Sequence, residues 1–229
     1  MFLTKDNRMK WKLLAVGTVV TLLTVLAGVF WFDYPLYLFM RGFDCSLWDI
    51  FDIIFDAKVW IIVSGVVLLV FYIKKAIKSK PNIRNSKHYI NLWAICRDFI
   101  EKTKHSYAFF IFCSVLSASL FAKVLKIIIG RARPIFFEAL DMVGFFPGTF
   151  DWAFNSMPSG HSTATFAGLV MFGMLVPRVK WFTWTLAIIA GASRVCYGAH
   201  WPTDVILGAF IGMVTADLVK WYIKKHISE

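Results

Sequence analysis

Three short stretches of this chain carry groups able to do chemistry. Residues 193–204 hold Arg194, His200 and Asp204; residues 158–161 read Pro158-Ser159-Gly160-His161; and Lys126 is followed by Arg133-Pro134. Lys126, Arg133 and Arg194 are cationic donors, and the planar fork of a guanidinium matches two oxygens of a phosphate. Pro158 to His161 open an apolar run with the composition of a helix start. The free N–H groups and positive dipole end of such a start attract an anion, and Gly160 lets the anion come close. Together these groups suit a tetrahedral oxyanion.

Two imidazoles divide the remaining work. An imidazole attacks phosphorus or protonates a leaving oxygen, and its unperturbed pKa near ~6.5 suits both roles around neutral pH. Asp204 lies four residues after His200, and Pro202 suits the first turn of the helix that follows, so the carboxylate can be directed back at the ring. That pairing orients His200 and favours its cationic form. His161 has no carboxylate nearby in sequence and is the candidate acid. A Ser159, His200, Asp204 hydrolase triad is disfavoured, because the Gly-x-Ser-x-Gly elbow is missing and the three cations would have no purpose.

The elements that must position these groups are membrane spans. Of the 229 residues 59% are hydrophobic, against ~45–50% in ordinary soluble domains, and charge-free runs are long enough to cross a bilayer. Six spans are predicted, at 13–32, 59–73, 107–129, 161–176, 181–197 and 205–223. Most of the 25 lysines and arginines fall on alternate connections. This is the positive-inside pattern, and it accounts for the net charge of +11 without nucleic acid. Both termini are thereby expected in the cytoplasm, with Lys126, Arg133, His161, Arg194, His200 and Asp204 all on the outer side. The first apolar run is read as a retained span, since it is long and has no small-residue cleavage site. The predicted class is an all-α polytopic membrane protein, a single domain over 1–229 with its motif core at 123–208. Its expected place is the bacterial cytoplasmic membrane, with the site facing the periplasm.

Other features are read locally. Ser46 to Asp49 resemble a capping box, and Leu47, Ile50, Phe51 and Ile54 recur at helical spacing opposite Asp49, Asp52 and Asp56. A short surface helix and a plain loop both fit this stretch. The basic segment 78–105, with Ile90, Trp93 and Ile100, fits an interfacial helix or a solvated linker, and 130–160 reads as irregular. Lys123 and Arg131 read as interfacial anchors, with a second phosphate contact open to Lys123. Trp152, Trp201, Phe136 and Phe137 read as aromatic-belt residues, and Asp217 with Lys220 as a local ion pair. His88, His105 and His226 read as solvated. Cys45 and Cys196 fall on the same side, where a disulfide is open in an oxidising compartment.

The three stretches resemble the motifs of the type 2 phosphatidic acid phosphatase superfamily of membrane lipid phosphatases, related to vanadium haloperoxidases. Lys126 with Arg133-Pro134 is similar to its Lys-x6-Arg-Pro motif, Pro158 to His161 to Pro-Ser-Gly-His, and Ser193-Arg194, His200 and Asp204 to Ser-Arg-x5-His-x3-Asp. The resemblance implies His200 as a nucleophile forming a phosphohistidine, Asp204 as its orienting carboxylate and His161 as the general acid. It also implies that Lys126, Arg133, Arg194, the Ser159 hydroxyl and the Gly160 amide hold the phosphoryl oxygens. Neither metal nor cofactor is expected, and no compact carboxylate cluster faces the outer side in the sequence. The expected partners are the bilayer and a phosphorylated lipid: undecaprenyl diphosphate, phosphatidylglycerol phosphate, phosphatidic acid or a lipid A phosphate. A lipid phosphotransferase and a non-catalytic anionic-lipid binder are the alternatives.

Overall fold

The computed structural model describes residues 1–4, 6–78 and 92–227. Its elements are helices: α1 (Trp11–Ala27), α2 (Asp33–Arg41), α3 (Leu47–Ile54), α4 (Ala57–Lys78), α5 (Leu92–Thr103), α6 (Tyr107–Ile129), α7 (Pro134–Leu140), α8 (Gly160–Leu175), α9 (Lys180–Cys196) and α10 (Pro202–His226). Among the described residues β-pairing is confined to two isolated bridges, Leu3 to Met9 and Arg131 to Phe145. The all-α expectation holds. Four helical stretches are long and apolar enough to cross a membrane: Trp11–Arg41, Ala57–Lys78, Tyr107–Ile129 and Pro202–His226. Helices α8 and α9, expected as spans four and five, have 16 and 17 residues and fall short of that length.

Helix α8 is the axis of the bundle. It is apolar on all sides and buried along most of its length, the pattern of a helix enclosed by neighbours. Phe109 and Phe110 of α6, Phe166, Leu169, Val170 and Met171 of α8, Ala187 and Ala190 of α9, and Ala216 and Ile223 of α10 form one core around it. The crossing of α8 and α10 is tight because α10 presents Gly208 and Gly212. A Cβ on Gly208 would lie 2.7 Å from the Ser159 carbonyl oxygen, and one on Gly212 would lie 2.5 Å from that of Thr163. Small residues let helix backbones approach, which inside a membrane takes the place of hydrophobic driving force. As a result the N-terminus of α10 lies beside the N-terminus of α8, where the Ser159 N–H donates to the Asp204 carbonyl at 2.9 Å. By contrast, α1 buries no residue and exposes Val19, Val20, Leu22 and Leu23.

Several sequence expectations are corrected. The first helical rod does not stop at Phe32: a π turn at Gly28–Phe32 leads straight into α2, so Asp33 starts a helix instead of an outer loop. The second span is longer than expected, running Ala57–Lys78. Of the two forms open to 47–54 a helix is found, but Ser46 makes no side-chain cap bond, so the capping box is absent. The stretch 130–160 contains α7, started by Pro134 at a position where its missing N–H costs nothing. Leu92–Thr103 is helical with Trp93 exposed, while Ile90 and His88 lie outside the described residues. Cys45 and Cys196 are both free. Asp217 pairs with the Met1 amino group at 3.1 Å and the Phe2 N–H at 2.7 Å, while Lys220 donates to the Met174 carbonyl at 2.9 Å.

Candidate active site

The C-terminal ends of α6 and α9 and the N-terminal ends of α8 and α10 meet at one end of the bundle around a cavity of about 830 Å³. Lys126, Arg133, Gly160, His161, Arg194 and His200 all line it. Three separate stretches of sequence thus converge, and each is delivered by a local stop or start signal. Helix α6 ends because Gly130 adopts a left-handed conformation at φ 62°, and a Cβ there would lie 2.0 Å from the Phe146 carbonyl oxygen. That turn places Lys126 in the last turn of α6 and Arg133 just beyond it.

His200 is buried, 2% exposed. Its Nδ1 lies 3.5 Å from Asp204 Oδ2 and 3.4 Å from Ser156 Oγ, and the Ser156 hydroxyl donates to the same carboxylate oxygen. Asp204 Oδ2 also accepts from the Trp201 N–H at 3.0 Å, and Oδ1 accepts from Arg131 Nη1 at 2.8 Å. An anion beside Nδ1 keeps the proton on that nitrogen and leaves the lone pair on Nε2. Burial pushes the pKa of His200 well below its ordinary value, and the charges of Arg133, Lys126 and Arg194 push it the same way. Both effects push the ring towards its neutral form, against the expectation that Asp204 favours the cationic one. Desolvation and three cations outweigh one carboxylate.

Arg133 is fixed by backbone acceptors. Its Nε donates to the Trp152 carbonyl at 3.1 Å and Nη1 to that of Ala199 at 3.2 Å, while its guanidinium carbon sits 4.2 Å from the Trp152 ring centre. Trp152 is thus more than belt material: it is a stacking platform for a site cation. Burial lowers the pKa of Arg133 to about 10, still well above neutral. The Lys126 ammonium donates to the Asn155 carbonyl and, at 3.4 Å, to that of Ser156. Ser159 departs from its expected place. Its side chain is fully buried and accepts from the Ser162 N–H at 3.4 Å as the cap of α8, and it does not line the cavity. Gly160 does.

Sequence reading missed four acids and two further polar groups. Asp52 of α3 binds Arg194 Nη1 and lies 3.1 Å from His161 Nε2; Asp56 lies 3.3 Å from the same nitrogen. His161 therefore has two carboxylates beside it, both more than one hundred positions away in sequence. The hydrogen bond from His161 and the charge of Arg194 hold the Asp52 carboxyl down to about 2, against the opposing effect of partial burial. Arg131, expected as an interfacial anchor, is buried instead and bridges Asp204 to Asp33, its Nη2 lying 2.6 Å from Asp33 Oδ2. Trp201, expected in the aromatic belt, is 4% exposed and donates to the Ala132 carbonyl at 3.0 Å. Glu138 of α7 accepts from Tyr37 of α2, and Ser156 completes the Asp204 contacts. The charge and hydrogen-bonding capacity of Arg131 and Ser156 were the only sequence signals for these roles.

The PAP2 superfamily profile matches residues 107–228, which hold all three motifs. The chain belongs to the PAP2 superfamily. Over 103 residues it is 43% identical to the lipid A 1-phosphatase of Rhizobium etli, a stretch that is 45% of this chain and 44% of that protein. Over 189 residues it is 25% identical to the lipid A 4'-phosphatase of Porphyromonas gingivalis, covering 80% of this chain and 70% of that one. A 58-residue stretch is 38% identical to the undecaprenyl-diphosphatase of Sulfolobus acidocaldarius, 25% of this chain and 28% of the relative. The PAP2 chain thus spans less than half the length of its Rhizobium relatives. No solved structure matches it. Its four long apolar helices fit an integral membrane protein of this superfamily.

Proposed function

We propose that this PAP2 protein hydrolyses a phosphate monoester or diphosphate carried by a membrane lipid, through a phosphohistidine on His200. The observation that supports this reading is the convergence of Lys126, Arg133, Arg194, a buried imidazole and a second imidazole on one cavity. The phosphoryl oxygens are held by Lys126, Arg133, Arg194 and the N-terminal amides of α8. His200 Nε2 attacks phosphorus as the bond from phosphorus to the lipid oxygen breaks, and His161 gives its Nε2 proton to that oxygen. In the second step His161 takes a proton from water, the hydroxide attacks phosphorus, and the phosphorus–nitrogen bond breaks to release inorganic phosphate. The three cations supply the charge stabilisation that this scheme needs without a metal.

Helices α8 and α9 are read as crossing with the four longer stretches, six in all, their shortness offset by the site loops at one end and the Pro177–Val179 turn at the other. The cluster Lys224, Lys225 and His226 ends α10 at the face opposite the site, and by the positive-inside rule this supports a site outside the cytoplasm with both termini within it. Lipid A phosphates head the substrate candidates because relatives that this chain matches in Rhizobium etli and Porphyromonas gingivalis are lipid A phosphatases. Undecaprenyl diphosphate, phosphatidylglycerol phosphate and phosphatidic acid present the same group. Phosphate release from that panel by protein in detergent, with EDTA present, tests the reading. Turnover of at least one lipid supports it, and binding without turnover of any would leave an anionic-lipid binder. Phosphorylation of an added acceptor lipid would make it a phosphotransferase.

The lowered pKa of His200 gives a pH prediction. Arg133 is the cation that depresses its pKa most, so removing that charge raises it. Loss of nucleophile by protonation then begins at higher pH. In Arg133→Gln the acid limb of the kcat/KM profile is expected to move towards neutrality relative to the parent, and a limb that stays put or moves to lower pH contradicts the assignment.

A further inference from the structure

Helix α3 lies outside the three motifs, yet it sends a carboxylate into the cavity. Asp52 Oδ1 contacts Arg194 Nη1 and lies 3.1 Å from His161 Nε2. In the reading above these are the groups that meet a phosphoryl oxygen and the leaving oxygen. An anion already stands where the substrate anion must go. The two cannot share the place, because a second anion within a few ångströms loses the attraction that the first one neutralises.

We propose that Asp52 is a specificity-determining residue: its carboxylate holds the phosphoryl position between Arg194 and His161, weakening free inorganic phosphate, and yields only to a phosphoryl group that brings binding energy from an attached lipid. The proposal rests on the phosphatase reading and names what selects its substrate over its product. Two independent observations support the exchange. The fork of Arg194 is only half used, since its buried Nε has no hydrogen-bond partner. An incoming tetrahedral anion can therefore gain a bond that Asp52 does not make. In addition, α3 is lightly held: none of its residues is buried, and its hold on the core is the partly buried Phe51. An element with so few buried contacts shifts at low cost.

His161 does not lose its carboxylate neighbour in the exchange. Asp56 is anchored independently, accepting from the Lys58 N–H at 2.7 Å, and keeps its own approach of 3.3 Å to Nε2. Asp52 blocks while Asp56 orients. Free phosphate gains only the polar contacts of the site and must offset the loss of the Asp52 pair. A lipid adds apolar contact to the same polar contacts.

Titration calorimetry with inorganic phosphate on the full chain in detergent micelles separates the possibilities, using the parent, Asp52→Asn, Asp52→Ser and Arg194→Gln. Removing the charge of Asp52 is expected to tighten phosphate binding about tenfold at low salt, with a gap that narrows as salt screens it. The inhibition constant of phosphate against lipid hydrolysis falls by the same factor. Arg194→Gln abolishes phosphate binding. If both Asp52 variants bind phosphate no better than the parent while Arg194→Gln still abolishes binding, the specificity role is overturned and the phosphatase site stands. A fall in kcat without tighter phosphate binding likewise overturns it, leaving Asp52 as a support for His161. If Arg194→Gln binds phosphate like the parent, the site reading itself fails and the proposal falls with it.

Discussion

Replacing His200 with alanine is expected to lower phosphate release by roughly 10⁴- to 10⁶-fold, the largest effect of any single substitution in this PAP2 chain. A loss of 10⁵ corresponds to about 7 kcal/mol of transition-state stabilisation, more than one hydrogen bond or one charge could supply. The reason is covalent. The variant keeps Lys126, Arg133 and Arg194 and so keeps its grip on the phosphoryl oxygens, but it has no atom to take phosphorus from the leaving oxygen. KM is therefore expected to change little beside kcat. Rapid quenching gives an independent readout, because a phosphorus–nitrogen bond is acid-labile and survives base. The parent should show such a phosphoenzyme and His200→Ala none. With an aryl phosphate, whose leaving group needs no proton, His161→Ala should still form the phosphoenzyme and hydrolyse it slowly. Retention of activity in His200→Ala would remove the nucleophile from the scheme, and accumulation of no phosphoenzyme in His161→Ala would remove the two-step division of labour.

The three motifs were legible in the sequence because a membrane makes ionisable residues conspicuous and because the spacings match the superfamily's motifs: a lone lysine at a span end reads as snorkelling, and the spacing to Arg133-Pro134 is what set Lys126 apart. Long charge-free runs likewise located helices α6, α8, α9 and α10 to within a few residues. What could not be read is what depends on contacts across the chain. Asp33 and Arg131 are 98 positions apart and Asp52 and Arg194 are 142 apart, and no local pattern says which distant helix will approach. Arg131 therefore read as an anchor and Trp201 as a belt residue, assignments that are correct for an average arginine or tryptophan near a bilayer surface. The π turn at Gly28–Phe32 misled in a different way. It lets one helix carry an aspartate past the point where hydropathy says the span has ended. His200 shows the same limit in electrostatics, since adjacency to Asp204 suggested a cation whereas burial and the neighbouring cations push the ring towards the neutral form.

Arg131 carries the second large prediction, and its effect falls first on stability. Its guanidinium is buried and lies 5.3 Å from the Trp201 ring centre, with Nη1 on Asp204 and Thr203 and Nη2 on Asp33. Asp204 and Asp33 are themselves 0% and 3% exposed. Arg131→Met preserves bulk but takes from two buried carboxylates the charged partner that bonds them both. Breaking a buried pair in this way costs about 3–5 kcal/mol, because the desolvation of the remaining charge is no longer compensated. Thermal unfolding in detergent should show the loss, and a change below about 0.5 kcal/mol, typical of surface positions, would mean that the network does not stabilise the fold. Arg131→Lys should recover only part of it, since an ammonium is a point charge and cannot place separate donors on two acids that the fork spans. The stabilising and positioning roles can then be separated by adding Asp33→Asn to Arg131→Met. The double variant has one fewer orphaned charge and should regain stability relative to Arg131→Met alone. Its kcat should stay low, because Asp204 Oδ1 has still lost Arg131 and the carboxylate no longer holds the His200 ring in place. Recovery of kcat together with stability would show that Arg131 serves the fold alone and that Asp204 is oriented well enough by Ser156 and the Trp201 N–H.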